Sequence, residues 1–297
     1  MSKTDLFGGA SIAESSKKIY LSNLKRLTDD NKIPTNLNFL KDTSKVMEKI
    51  EKIENPNTRR SYWIAVVSVL KDKKPFKKYY DTYHEKMMGI NSVLNKESFK
   101  TDKTKEKQSA IKMEDLLSKQ KELSSVMSEI QKKRKITDEQ YNKLHDLVIT
   151  SLYTLLPPRR CLDFSAMIVG EPTENKELNY YHNGKFHFNN FKTKKTGMQT
   201  IDVPEELQNI LKMWIKFKKG EDKHLLVKVS TNEPYTAHEM TALLKKSFGN
   251  NNIGVSVLRN VFLSEKFGDT MKELKKDTHD MGTSIGVANS TYIKKDE

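Results

Sequence analysis

The stretch HDMGTSIGVANSTYIKK, residues 279–295, decides how the rest of the chain is read. It is polar and too short to be a core element, yet it carries Tyr292 close to the end. Three further groups stand out upstream of it. Arg160 follows a double proline in PPRRCLDF (157–164), a lysine-rich turn FKTKKTG spans 191–197, and Arg259 lies in the apolar run SVLRNVF (256–262). The order along the chain is Arg, Lys, Arg, Tyr.

That order suits one kind of chemistry. A phosphodiester resists attack because the nucleophile must approach two negatively charged oxygens, so catalysis requires fixed positive donors aimed at them. Arginine is always charged and presents planar, paired donors, and two arginines from separate elements can clamp both non-bridging oxygens. A lysine on a turn can protonate the leaving oxygen, and a tyrosine hydroxyl can hold the cut strand as a covalent ester. Lys192, Lys194 and Lys195 all lie in the turn. No metal or other cofactor is expected, because no Asp/Glu/His cluster has ligand spacing.

Composition fits a polyanion as partner. The 297 residues carry a formal net charge of +14, with 36% hydrophobic and 31% charged residues. A surface this basic points first to nucleic acid, and otherwise to a merely solubilising charge. Cys161 is the one cysteine, which excludes an intrachain disulfide and a cysteine-rich zinc site. No apolar run has the length of a membrane span, and MSKTDLFGGASIAESSKK does not read as a signal peptide. The expectation is an intracellular protein, acting in a host cytoplasm, virus factory or nucleus.

Apolar spacing predicts four helices in the first 95 residues: from Ser15 to about 28, from 37 to 53, after Asn55-Pro56-Asn57 with Asn57 or Thr58 as cap, and from 76 to 94. Residues 95–110, NKESFKTDKTKEKQSA, have the composition of a linker. Two helices follow, near 113–133 and 137–156. Short strands are expected at 178–181, 185–191 and 198–203, with Asn183-Gly184 as a tight hairpin turn. Helices return after Pro204, after the capping box begun by Thr236, and at 256–267 and 269–276. The expected fold is mainly α with a small antiparallel β-sheet. It divides into a helical domain at 1–100, a linker at 101–112 and a second domain at 113–297.

At these residues the chain resembles the tyrosine recombinase (phage-type integrase) superfamily, over nearly its whole length. Arg160-Cys161-Leu162-Asp163 matches that family's Arg-x-x-Glu/Asp box. Ser256-Val257-Leu258-Arg259 matches His-x-x-Arg except for the serine. Met281-Gly282-Thr283 with Tyr292 nine residues on matches Leu-Gly-His and its tyrosine, with threonine in the histidine position. The double proline and the lysine-rich linker look like versions encoded by large DNA viruses and their satellite elements. The resemblance implies a helical core-binding domain that clamps DNA, followed by a catalytic domain. It implies Arg160, Lys192, Arg259 and Tyr292 as catalytic residues, Lys192 being favoured over Lys195 because it sits where the second strand ends. It also implies double-stranded DNA as partner, a covalent 3′-phosphotyrosine, and four protomers on two sites assembled from a monomer in solution. His279, one turn before Thr283, is a stand-in for the lost histidines.

Each residue also has an ordinary explanation. The chain has 11 tyrosines, lysine-rich turns are usually just solvated, and Arg160 could pair with Asp163. The basic run Lys132-Lys133-Arg134-Lys135 reads as a helix end and DNA-facing surface. Two other functions share the pattern: a type IB topoisomerase-like enzyme, and a degenerate recombinase that binds DNA without cutting it.

Overall fold

Helices dominate because apolar residues recur at helical spacing between strong caps. In the computed structural model, residues 6–7, 12–96, 110–173, 175–191, 197–219 and 223–293 are described. The chain divides into two compact units, Met1–Asp102 and Lys103–Glu297. Most of the stretch read as a linker lies outside the described residues.

In the first unit, α1 (Glu14–Leu27), α2 (Thr43–Glu51), α3 (Pro56–Leu70) and α4 (Lys77–Lys96) enclose a core. Trp63 and Tyr83 lie at its centre, fully buried, and the Tyr83 hydroxyl donates to the Leu40 carbonyl at 2.9 Å. The helix expected from 37 to 53 is split. A 3-10 turn at Asn38–Lys41 precedes α2 because the Asp42 side chain caps the Lys45 amide and forces a fresh start. The cap of α3 is Asn55, which accepts from the Asn57 and Thr58 amides. Pro56 has no amide to offer and suits the first helical position, so the cap falls before it.

The second unit is built on α5 (Met113–Ile130) and α6 (Asp138–Thr154), packed together across a short turn. The capping box of Thr137 and Gln140 starts α6. After the double proline come α7 (Cys161–Ser165) and a four-stranded sheet of β1 (Ile168–Val169), β2 (Tyr180–His182), β3 (Lys185–Phe188) and β4 (Gln199–Asp202), in the order β1-β2-β3-β4. The sheet is mixed and not purely antiparallel as expected: β1 pairs parallel with β2, while β2–β3 and β3–β4 are antiparallel. Two residues are too few for β1 to show in a periodicity. Pairing across more than fifty residues holds it, since Val169 donates to Lys223 and Leu225 to Met167, both at 2.7 Å. Asn183 and Gly184 both take positive φ, as the two-residue turn requires.

Two amphipathic helices close the core, α8 (Glu205–Phe217) and α9 (Ala237–Ser247). Trp214 is fully buried, and its indole donates to the Leu225 carbonyl at 2.6 Å. One helix, α10 (Val255–Asp280), covers the two expected at 256–267 and 269–276. Gly268 does not end it, because a helix-interior glycine costs only about 1 kcal/mol against alanine. A short α11 (Ile285–Val287) and a π turn, Ala288–Tyr292, follow. Among the described residues, no helix is long and apolar enough to cross a membrane.

Phe164 joins α7 to the sheet, edge-on to Tyr153, Phe186 and Phe188. Phe164→Ala should lower stability by about 3–5 kcal/mol, measured by urea denaturation. A loss under about 1 kcal/mol would mean that this aromatic cluster does not anchor α7.

Candidate functional site

The double proline sets the site's geometry. It holds the chain extended into α7, so that Arg160 takes the N-cap position with β-region angles (φ −68°, ψ 151°). Its carbonyl accepts from the Asp163 amide at 2.9 Å. Its side chain makes no capping bond and, among the described residues, pairs with no carboxylate.

Asp163 is claimed by the neighbouring arginine. Arg159 Nε donates to Asp163 Oδ2 at 2.8 Å, and Arg159 Nη1 donates to Gln199 Oε1 on β4 at 3.0 Å. The guanidinium also stacks on Phe188, 3.7 Å from the ring centroid. The ion pair the sequence offered to Arg160 therefore belongs to Arg159, one turn from Asp163 on α7. Arg160, half-buried, is left free to face a ligand.

Asp163 is buried, and its Oδ1 has no hydrogen-bond partner. Burial pushes its carboxyl above the ordinary value, against the opposing pull of Arg159, Arg160 and Arg259. Two effects compete here: a short ion pair favours the charged form, while desolvation of an oxygen without a partner disfavours it more. The positive charges of Arg160 and Arg259, far apart in sequence, are both felt by this one carboxyl.

A second clasp was missed in the sequence. Asn179 is buried between α7 and the end of β3. Its Nδ2 donates to the carbonyls of Asp163 and Asn190, each at 2.9 Å, and its Oδ1 accepts from the amides of Asn189 and Asn190, each at 2.8 Å. This bond set ties α7 to the segment leading into the lysine-rich turn. Lys192, Lys194 and Lys195 themselves lie outside the described residues. Nothing in a lone asparagine ahead of a strand announces four such bonds.

Arg259 is exposed in the second turn of α10, one turn from Ser256. Asp280 ends the helix twenty-one residues later, roughly 31 Å further along at about 1.5 Å per residue. Gly282 then takes φ 69°, and the Thr283 amide donates back to the Thr278 carbonyl at 2.8 Å. This closes a helix-ending turn of the Schellman type. The following segment packs against the end of α10 and buries Ala288 and Thr278.

Tyr292 sits at the close of the π turn, 60% exposed. No contact joins it to Arg160 or Arg259 among the described residues. His279 is likewise exposed, with Asp280 Oδ1 3.4 Å from its Nδ1. Arg160 and Arg259 thus both lie within electrostatic reach of Asp163, whereas Tyr292, Thr283 and His279 lie at the far end of α10. Cys161 is buried, and burial raises its thiol, so it offers no ready nucleophile. Among the described residues, no group of His, Cys, Asp and Glu is placed to hold a metal.

With known proteins the chain shows no match: no family model, no curated protein and no solved structure.

The raised Asp163 carboxyl predicts a pH dependence. The native state holds this proton more tightly than the unfolded chain, so the contribution favours folding at low pH. It is lost as pH rises through the native value. Asp163→Asn cannot titrate. The stability of the parent relative to this variant should therefore fall as pH rises from about 3 to about 7 in urea titrations. A difference independent of pH would show that Asp163 is not perturbed by burial.

Proposed function

We propose that the chain is a tyrosine recombinase, a DNA-breaking and rejoining enzyme. Arg160 and Arg259 clamp the non-bridging oxygens of the scissile phosphate. The Tyr292 oxygen attacks phosphorus, the bond to the 5′ oxygen breaks, and Lys192 protonates that oxygen. The strand is held as a 3′-phosphotyrosine, which a 5′ hydroxyl reverses on rejoining. Two duplexes call for four protomers.

The observation that supports this reading is that Arg159 takes the ion pair with Asp163, while Arg160 and Arg259 act on the same carboxyl only through their charge. Among the described residues neither guanidinium is paired with a carboxylate, and a phosphate between them would offset their charge. The positions of Ser256 and Thr283 shift the burden of charge neutralisation onto these arginines and the lysine.

Tyr292 must travel to this centre. In this reading α10 bends at Gly268 when DNA binds. An added Cβ there would meet nothing within 4 Å, and only Leu258, Val261 and Thr278 of the helix are buried. Breaking the helix at this point therefore gives up little packing, and glycine accepts the bent backbone.

The test is trapping of a protein–DNA adduct on nicked duplexes. The parent chain should form one, and Tyr292→Phe should form none while binding DNA as before. Arg160→Ala and Arg259→Ala should each slow adduct formation about a hundredfold or more, as loss of a single transition-state donor does elsewhere. An adduct that survives in Tyr292→Phe would assign the nucleophile to another residue. No adduct from the parent chain would leave a DNA-binding protein without this chemistry. Gly268→Ala should slow the adduct and leave affinity unchanged; an equal rate would place the bend elsewhere.

A further inference from the structure

A second basic surface lies away from the arginines, where the turn after α5 meets the exposed face of α8. Lys132, Lys133, Arg134 and Lys135 are consecutive and exposed. The turn is fixed in place, because Lys216 Nζ on α8 donates to the Lys133 carbonyl at 3.0 Å. Beside it runs a groove of about 560 Å³ between the end of α5 and α8. Met127 and Met213 are packed against the core at its base. Gln131, Asn209, Lys212 and Lys216 supply hydrogen-bond donors along its walls.

The ion pairing here is unlike that on neighbouring surfaces. Elsewhere lysines find carboxylates, as Lys119 does with Glu122 at 2.9 Å and Lys143 with Glu139 at 3.1 Å. Among the described residues, none of Lys132, Lys133, Arg134, Lys135, Lys212 and Lys216 is paired with a carboxylate. The nearest acids are engaged with other partners: Asp138 with Lys219, Glu139 with Lys143, and Glu129 with Gln140. Lys133 Nζ donates to the neutral Gln140 Oε1 at 3.2 Å, so the consecutive cations repel one another without a carboxylate to offset them. A polyanion laid across them offsets that repulsion and releases its own counterions.

We infer that this surface is a second binding site for the phosphates of duplex DNA; the inference rests on the chain being a DNA-acting protein. It stands at the opposite end of α6 from the arginine centre. Seventeen residues of α6 separate the two, about 25 Å. That is about seven base pairs of a duplex at 3.4 Å each, so the site takes the flank of the duplex held by the arginines. Lysines and amides make point contacts to phosphates, which hold position without reading sequence.

The experiment compares the parent chain with a variant combining Lys132→Gln, Lys133→Gln, Arg134→Gln and Lys135→Gln. A third protein carries arginine at positions 132, 133 and 135. Binding of fluorescent duplexes of about 8 and about 24 base pairs is followed by anisotropy across a salt series, with thermal unfolding as a check on these exposed changes. For the long duplex, the glutamine variant should bind at least tenfold more weakly, and its log–log salt slope should shrink by about two to four. The short duplex should be affected much less, and the arginine protein should behave as the parent does. Equal affinity and slope for parent and glutamine variant on the long duplex would overturn the inference and leave the recombinase reading standing. A changed slope in a protein that forms no adduct would keep this site and remove the recombinase. No duplex binding by the parent would overturn both.

Discussion

The ion pair between Arg159 and Asp163, laid on the face of Phe188, is the constraint on which the site depends. One guanidinium meets a carboxylate, an amide from β4 and an aromatic ring, and so fixes α7 against the sheet. Because Arg159 uses the anion, Arg160 does not. The asymmetry between adjacent arginines follows from the double proline before them and the helix after them. Arg159 lies one helical turn from Asp163, the offset at which side chains meet, whereas Arg160 occupies the N-cap. Removing one partner of such a pair leaves the other charge buried and uncompensated, which typically costs about 3–5 kcal/mol. The pair thus holds geometry more than it adds net stability.

The opposite design governs α10. Its first turns are anchored by Leu258 and Val261, and beyond them the apolar side chains Leu263, Phe267 and Met271 recur every four residues and stay exposed. The helix is held by its own hydrogen bonds and by pairs such as Lys272 with Asp269 at 2.9 Å, each worth only tenths of a kcal/mol on a helix surface. Within one unit, α7 is thus fixed by a packed core, whereas the distal part of α10 can change its path at small cost.

Much of this was legible in the sequence. The helix cap at Thr236, the hairpin at Asn183-Gly184 and the helix after Pro204 were readable because the physics behind each is local. What failed was non-local. Strand β1 depends on partners elsewhere along the chain, and the Asn179 clasp on bonds to two separate backbone segments. The continuity of α10 across Gly268 is likewise not announced by the spacing, which a glycine interrupts. The choice between Arg159 and Arg160 is instructive. The Arg-x-x-Asp spacing drew attention to Arg160, while the structure gives the ion pair with Asp163 to Arg159. The candidate pairing of Arg160 with Asp163 is not formed: the carboxylate is taken by Arg159, and the charge of Arg160 acts on it only from further off.

The central claim is that Arg160 and Arg259 hold a phosphate together while Arg159 remains structural. Nitrogen-15 NMR of the arginine guanidinium groups, assigned by single Arg→Lys variants and titrated with a duplex, tests this most directly. The account predicts that the Arg160 and Arg259 side-chain signals shift together and saturate at the same DNA concentration, while the Arg159 signal stays where the Asp163 pair holds it. A shift at Arg159 with Arg160 and Arg259 unchanged would contradict it.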